Sequence, residues 1–275
     1  MHQSLFSGDK IGRLRFGLVT DSHYAERPDR PKRFYKQSLE KMKHFAEHMN
    51  KENLEFVLHM GDIKDENTQP TEQSTLQYLK QIEDTFQLYK GKTYHAIGNH
   101  DVDSITKKQF LDHITNSDIP KNRSFYSFDC CGFHLIVLDG CFNPDGSSYA
   151  PGNFTWDQSA IPPAQLRWLQ KDLKRTSLPT LIFCHQLLFY NDGHTLHNAS
   201  EVRKILEESR KVLAVFQGHI HRELQENING IHYCSFNGMV DKQGAEGNSY
   251  MIVECTAETI QIHGYYNASS RLAAV

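Results

Sequence analysis

Five short clusters of Asp, Asn and His punctuate this chain, and each follows an apolar run. Asp21-Ser22-His23 follows "GLVT", and Gly61-Asp62-Ile63-Lys64-Asp65 follows "FVLHM". Gly98-Asn99-His100-Asp101 follows "YHAI", His185 follows "LIFC", and Gly218-His219-Ile220-His221 closes "VLAVFQ". Any one of these alone reads as a polar loop. Together they offer carboxylates, an amide and imidazoles, with no thiolate among them. That donor mixture suits Mn²⁺, Fe or Zn²⁺, whereas all-oxygen sets suit Mg²⁺ or Ca²⁺ and thiolates suit structural zinc. The donors amount to two Asp, one Asn and several His, seven or so in all, with His219 and His221 two of them. They are too many for one tetrahedral ion and about right for two ions sharing a bridging carboxylate. Glycine beside three of the clusters lets the backbone come close and turn sharply.

Donors spread over two hundred positions can meet only if the elements before them end at one place. "RLRFGLVTD", "LEFVLHMGD" and "TYHAIGNH" read as strands. Between them, "RFYKQSLEKMKHFAEHMNKEN" has helical spacing, with Leu39, Met42, Phe45 and Met49 on one face, and "TEQSTLQYLKQIEDTFQLYKG" reads as a second helix stopped by Gly91. This alternation is the signature of a parallel sheet with helical crossovers. "SFYSFDCCGFHLIVLDG" reads as an antiparallel hairpin turning at Cys131-Gly132. "PPAQLRWLQKDLKR" opens on proline and reads as a short helix. A strand "TLIFCH", a helix "NASEVRKILEESR" and the strand "VLAVFQGH" come next, then the strands "IHYCSFNG", "SYMIVEC" and "TIQIHGYY". The expected architecture is α/β: two mixed sheets packed face to face with helices outside. In parallel sheets the carboxyl ends of the strands share a rim where ligands bind, so the five clusters should converge there.

Composition sets the outer bounds. A chain of 275 residues with 39% hydrophobic residues can build a large core. The net charge of −3 and the lack of a basic block give no electrostatic reason to expect nucleic acid as a partner. No apolar run is long enough to span a membrane, and "MHQSLFSGDKIGRLRF" lacks the apolar core of a signal peptide. A cytoplasmic protein is therefore expected. The six cysteines form no CxxC pair and sit mostly in apolar runs, as reduced core thiols do. There is no internal repeat, no linker and no signal of oligomeric state.

The order D-x-H, G-D-x-x-D, G-N-H-[DE], a lone H and G-H-x-H is present here as "DSH", "GDIKD", "GNHD", "CHQ" and "GHIH". It resembles the calcineurin-like metallophosphoesterase superfamily. The resemblance implies one domain over 1–275 and a four-layer α-β-β-α sandwich of two mixed sheets. It also implies a dinuclear centre. One ion takes Asp21, His23 and His221, the other takes Asn99, His185 and His219, and Asp62 bridges them. A metal-bridging hydroxide then attacks phosphorus in line, with His100 as the acid beside the leaving group. Asp101 is placed to orient His100, and Asp65 to hold a ligand imidazole in one tautomer. The wider context, "RFYKQSL" after the first motif and "GIHYCSFNGMV" after the last, is similar to the manganese-dependent ADP-ribose/CDP-alcohol diphosphatase branch and to bacterial alkaline-phosphatase-like proteins. This favours manganese. The diphosphatase branch carries Gln at the third position of the first motif, where this chain has His23.

Two loops stand near these motifs. "ERPDRPKR" (26–33) holds Arg27, Arg30 and Arg33, which could clamp a second phosphate. "GCFNPDGSSYAPGNFTW" (140–156) is rich in turn residues and aromatics and reads either as a cover for a nucleoside base or as a long surface loop. His194, soon after His185, is a candidate substrate-facing residue. The expected function is metal-dependent hydrolysis of a small-molecule phosphoester or nucleoside diphosphate derivative. The alternatives are a nuclease or cyclic-nucleotide phosphodiesterase on the same scaffold, and a non-catalytic protein-binding scaffold.

Overall fold

Alternation of inward and outward apolar side chains along the strands divides the molecule into layers. The computed structural model describes residues 12–190 and 192–274. One six-stranded sheet holds β1 (Leu14–Val19), β2 (Phe56–His59), β3 (Lys92–His95), β10 (Ser249–Cys255), β11 (Thr259–Tyr266) and β12 (Arg271–Ala274), in the order β12-β11-β10-β1-β2-β3. The other holds β4 (Tyr126–Cys130), β5 (Phe133–Leu138), β6 (Thr180–Cys184), β7 (Val212–Gln217), β8 (Leu224–Ile228) and β9 (Ile231–Ser235), in the order β4-β5-β6-β7-β9-β8. β1, β2 and β3 run parallel, as do β5, β6, β7 and β9, while β10–β12, β4 and β8 pair antiparallel at the flanks.

Between the sheets, Phe16 stacks on Phe56 with centroids 4.9 Å apart and meets Phe183 and Phe216 edge-on at 5.7 and 5.9 Å. Leu18, Leu58, Leu135, Val137 and Val253 fill the same layer. The opposite face of the first sheet is covered by α1 (Ser38–Met49), α2 (Glu72–Phe86) and α3 (Lys107–His113), through Met42, Phe45, Met49, Ile82, Phe86 and Phe110. The opposite face of the second is covered by α4 (Pro163–Arg175) and α5 (Ala199–Ser209), through Leu166, Leu169, Val202 and Leu206. The layers are therefore helix, sheet, sheet, helix, as the alternation of elements implied.

Three details depart from the pattern read along the chain. α2 ends at Phe86 and not at Gly91. The Asn50 side chain intercepts the backbone there, donating to the Leu88 carbonyl (2.8 Å) and accepting from Lys90 N–H (2.9 Å), and Tyr89 turns inward. α3 is too short to carry a clear period, but Thr106 and Gln109 form a reciprocal cap at its start. β8 is mostly exposed, so its sequence lacks the apolar run that marks a central strand. The β4–β5 hairpin turns where expected, with Cys131 and Gly132 both left-handed (φ 50° and 84°), as a two-residue primed turn demands. All six cysteines are free. Among the described residues no helix is long and apolar enough to cross a membrane.

Candidate metal centre

The carboxyl ends of β1, β2, β3, β6 and β7 meet at one end of the two packed sheets, and backbone hydrogen bonds continue past the strand ends into the turns beyond. Asp21 N–H donates to the Gly61 carbonyl (3.1 Å) and His23 N–H to the Asp62 carbonyl (2.9 Å), so the segments after β1 and β2 stay zipped. Gly218 N–H donates to the His185 carbonyl (3.0 Å), joining the ends of β6 and β7. Asp21, His23, Asp62, His219 and His221 all take positive φ, between 44° and 69°. Such strain in non-glycine residues concentrates at functional sites, where surrounding structure must enforce it. Two glycines make room: a Cβ on Gly98 would lie 2.1 Å from Asp62 Oδ1, and one on Gly218 would lie 2.2 Å from Thr20 Oγ1.

These turns aim the candidate donors at two adjoining points. Asp21 Oδ1 stands 3.1 Å from His221 Nε2 and 3.5 Å from His23 Nε2, while those two imidazole nitrogens face each other at 3.1 Å. Asp62 Oδ2 stands 3.1 Å from His185 Nε2 and 3.6 Å from His23 Nε2, so it faces both groups. Its other oxygen accepts from His100 N–H at 2.7 Å. Asp21-His23-His221 and Asp62-His185-His219 each bring their donor atoms within 4.8 Å of one another. Asp21 Oδ1, Asn99 Oδ1, His185 Nε2 and His219 Nε2 are buried without a hydrogen-bond partner. Buried polar atoms are ordinarily satisfied, so four orphaned atoms converging here are what a cation-binding centre requires. A pair of divalent ions fits this donor set.

The electrostatics carry the same message. Burial opposes ionisation of Asp21 and Asp62, yet neighbouring imidazoles, His221 and His185 foremost, hold both well below the usual carboxylate range. Burial opposes protonation of His185 and His221, yet Asp62 and Asp21 raise both to about 9. His219 and His23 go the other way, depressed mainly by burial. The cluster thus draws positive charge to its carboxylates, as protons or as metal cations.

Further residues hold the donors in place. His23 Nδ1 faces Asp65 Oδ2 at 3.3 Å, His185 Nδ1 donates to the Met60 carbonyl at 2.9 Å, and His221 Nδ1 pairs with Asp241. In His185 and His221 the bonded ring nitrogen leaves the other free to ligate in one tautomer. Asp241 was not legible in the sequence, because no spacing rule links it to His221 across two strands. Asp101 does not orient His100. Its carboxylate accepts from the backbone N–H groups of Asp62, Ile63 and Gly98 at 2.8–2.9 Å, clamping the turn after β2 to the turn after β3. The group beside His100 is Asp103, 3.3 Å from Nδ1, which is itself paired with the buried Lys64. His100 is raised to about 9, because Asp65, Asp62 and Asp103 outweigh its burial.

A cavity of about 510 Å³ opens over the donors, lined by Asp62, Asn99, His100 and His219, with Arg30 and Arg33 on one wall and Trp156 and His194 on another. The three arginines differ. Arg27 is spent on Asp65 Oδ1 (3.2 Å) and the Glu66 carbonyl (3.0 Å). Arg30 donates through Nε to Tyr35 Oη (2.8 Å). Arg33 carries a buried terminal nitrogen with no partner. His194 lies with its ring 5.0 Å from that of His219.

A two-sheet sandwich with clustered carboxylates and imidazoles at one rim defines a class of dinuclear metal hydrolases. Residues 14–223 match the family model of calcineurin-like phosphoesterases, and the chain belongs to that family of metal-dependent phosphoester hydrolases. It is similar to a manganese-dependent ADP-ribose/CDP-alcohol diphosphatase of Oryza sativa, at 24% identity over 82% of this chain and 83% of the relative. It is also similar to a 3′,5′-cyclic-nucleotide phosphodiesterase of Nostoc, at 26% identity over 66% of this chain and 60% of the relative. A crystal structure of a dimetal phosphatase from Danio rerio superimposes with a TM-score of 0.80 at 16% identity, over 95% of this chain and 98% of that one.

Proposed function

We propose that this protein hydrolyses a phosphoanhydride or phosphodiester bond in a small nucleoside diphosphate derivative, with two divalent ions, manganese favoured. One ion would be held by Asp21, His23 and His221, the other by Asn99, His185 and His219, with Asp62 placed to serve both. The observation that carries this reading is the set of orphaned buried donors, Asp21 Oδ1, Asn99 Oδ1, His185 Nε2 and His219 Nε2, two of which, Asn99 and His219, line an open cavity. Bound divalent ions supply charge neutralisation and water activation. The chain's own residues do the rest. Asp65, Asp241 and the Met60 carbonyl fix ring orientations, so the donors need little rearrangement. His100 projects into the cavity, its ring steadied by Asp103, where its proton can pass to the departing oxygen. Arg33 offers an unpaired guanidinium nitrogen to a phosphate beyond the one attacked. The net charge of −3 ranks a nuclease lower, and the full set of candidate donors ranks a non-catalytic scaffold lower still.

The test is initial rates with added Mn²⁺ on p-nitrophenyl phosphate and bis-p-nitrophenyl phosphate, then ADP-ribose and CDP-choline, with Asp62→Asn as the blank. Preference for the diester and the diphosphates is expected. Preference for the simple monoester would move the assignment to a phosphatase. Equal silence from wild type and Asp62→Asn, with metal bound, would overturn hydrolysis and revive the scaffold.

A further inference from the structure

We infer that Trp156 is a stacking platform for the planar base of a nucleoside phosphoester, so that the cavity selects nucleotides over simple phosphates. The inference rests on the hydrolytic reading for what happens to the phosphate, but on its own observations for the base. Ligand pockets are lined largely by hydrophobic and aromatic side chains, with a few polar groups that fix orientation. Leu88, Trp156, Tyr190, Tyr266 and Leu272 are the exposed large apolar side chains among the described residues, and of these Trp156, at 45% exposure, is the one that lines the cavity over the candidate metal centre.

Its position is built. The preceding residue, Thr155, has its carbonyl held by the hydroxyl of Tyr149 at 2.6 Å, and Tyr149 is buried. Behind the indole, Gly193 carries no side chain; a Cβ there would lie 3.7 Å from the indole and 3.1 Å from Asp157 Cβ. The indole lies beside His194 (centroids 5.2 Å) and His219 (6.0 Å), tilted to both rings. The indole is therefore fixed before any ligand arrives, with free surface toward the cavity, which lowers the ordering cost of stacking. Arg33 stands on another wall, beyond the donors. It is tied by the reciprocal backbone bonds Arg30 N–H to Arg33 carbonyl (3.0 Å) and Arg33 N–H to Arg30 carbonyl (2.9 Å). A nucleoside diphosphate would lay its base on Trp156, its first phosphorus over Asp62 and Asn99, and its second toward Arg33. A diphosphate without a nucleoside would leave the indole bare.

The chain has two tryptophans. The other, Trp168, sits on α4 against Phe125 (4.9 Å) and lines no part of the cavity. In a Trp168→Phe background, emission therefore reports Trp156 alone. The metal-loaded protein is titrated with α,β-methylene-ADP, whose P–C–P bridge resists cleavage, and with methylenebisphosphonate, which keeps the two phosphorus groups and lacks the nucleoside. The nucleotide should quench emission saturably and the bisphosphonate should not. Trp156→Leu, read by competition against hydrolysis of bis-p-nitrophenyl phosphate or by calorimetry, should weaken the nucleotide about tenfold and the bisphosphonate little, with Trp156→Phe between. Arg33→Met should weaken both ligands. If Trp156→Leu weakens both equally, or neither, the platform is overturned. Silence toward every ester with intact discrimination between the two ligands would overturn hydrolysis and uphold the platform. Hydrolysis without discrimination would overturn the platform alone.

Discussion

The floor of the cavity and its rim are made differently. The floor, lined by Asp62, Asn99 and His219, rests on Asp21, His23 and His185, which are fully buried, follow strands closely, and are fixed by hydrogen bonds that continue the sheets. On the rim, Arg30 and Trp156 are exposed and stand on loops whose order comes from a few local bonds. A donor set must hold cations to within fractions of an ångström, so it belongs on strand ends. A surface that chooses among substrates needs shape and charge, which loops can vary without disturbing the sheets. Changes to the floor should therefore abolish chemistry, and changes to the rim should redistribute it among substrates.

The largest expected effect is at Asp62, the carboxylate that faces both donor groups. Asp62→Asn should lower turnover on every ester alike, by about 10²–10³-fold, with less than the wild-type metal content by elemental analysis. A substrate-dependent loss would erase the distinction between floor and rim.

Next comes a charge pair beneath the floor. His95, at the end of β3, is buried, with Nε2 2.9 Å from Glu83 Oε2 and Nδ1 3.2 Å from Asn116 Oδ1. Both ring nitrogens face oxygen, so the imidazolium is the form that satisfies them. Burial opposes that charge, but Glu83 outweighs it and raises His95 above its ordinary value. A pKa raised on folding contributes stability that is complete below the unfolded value near 6.5 and is lost as pH rises through the folded value. Glu83→Gln should therefore destabilise the fold at pH 6 and clearly less at pH 9, read from urea unfolding in chelator. An equal loss at both pH values would mean that His95 is neutral in the fold.

The same division explains what could be read from the sequence. The floor was legible because each donor follows an apolar run, and because Gly61, Gly98 and Gly218 mark where chain must pass close to chain. The layers were legible for the same reason: apolar runs and helical faces such as Met42-Phe45-Met49 state which side is inside. What escaped was mostly contact between distant segments: Asn50 ends α2 by reaching another loop, and Asp241 holds His221 from twenty residues away. Neither pairing has a period or a spacing to betray it. Asp103 is local, three residues after His100, but it lies outside the motif. Asp241 belongs functionally to the floor although it came from no motif. Asp241→Asn should lower metal affinity about 10–100-fold while leaving the ratio of rates between substrates unchanged, as metal titration with two substrates would test.

The smallest effects concern three arginines that look equivalent in "ERPDRPKR". Arg27 already serves the floor, since its guanidinium holds Asp65, which in turn faces His23. Arg30 lies along Tyr35, its guanidinium carbon 5.6 Å from the ring centroid, and bonds the Tyr35 hydroxyl. Arg33 alone of the three has a buried terminal nitrogen without a protein partner. Arg33→Met should therefore raise KM for a diphosphate about three- to tenfold, the worth of a charge-assisted hydrogen bond partly exposed to water, with little change for a simple monoester. Arg27→Met should instead lower metal affinity modestly and treat all substrates alike, because it acts through Asp65. Arg30→Met should shift KM by less than about twofold, as expected of a surface charge that already has a neighbour. Steady-state kinetics of the three variants on one diphosphate and one monoester separate these outcomes. Equal KM effects from all three would mean that the loop acts only as a diffuse positive field, and that the rim does not select its substrates through individual side chains.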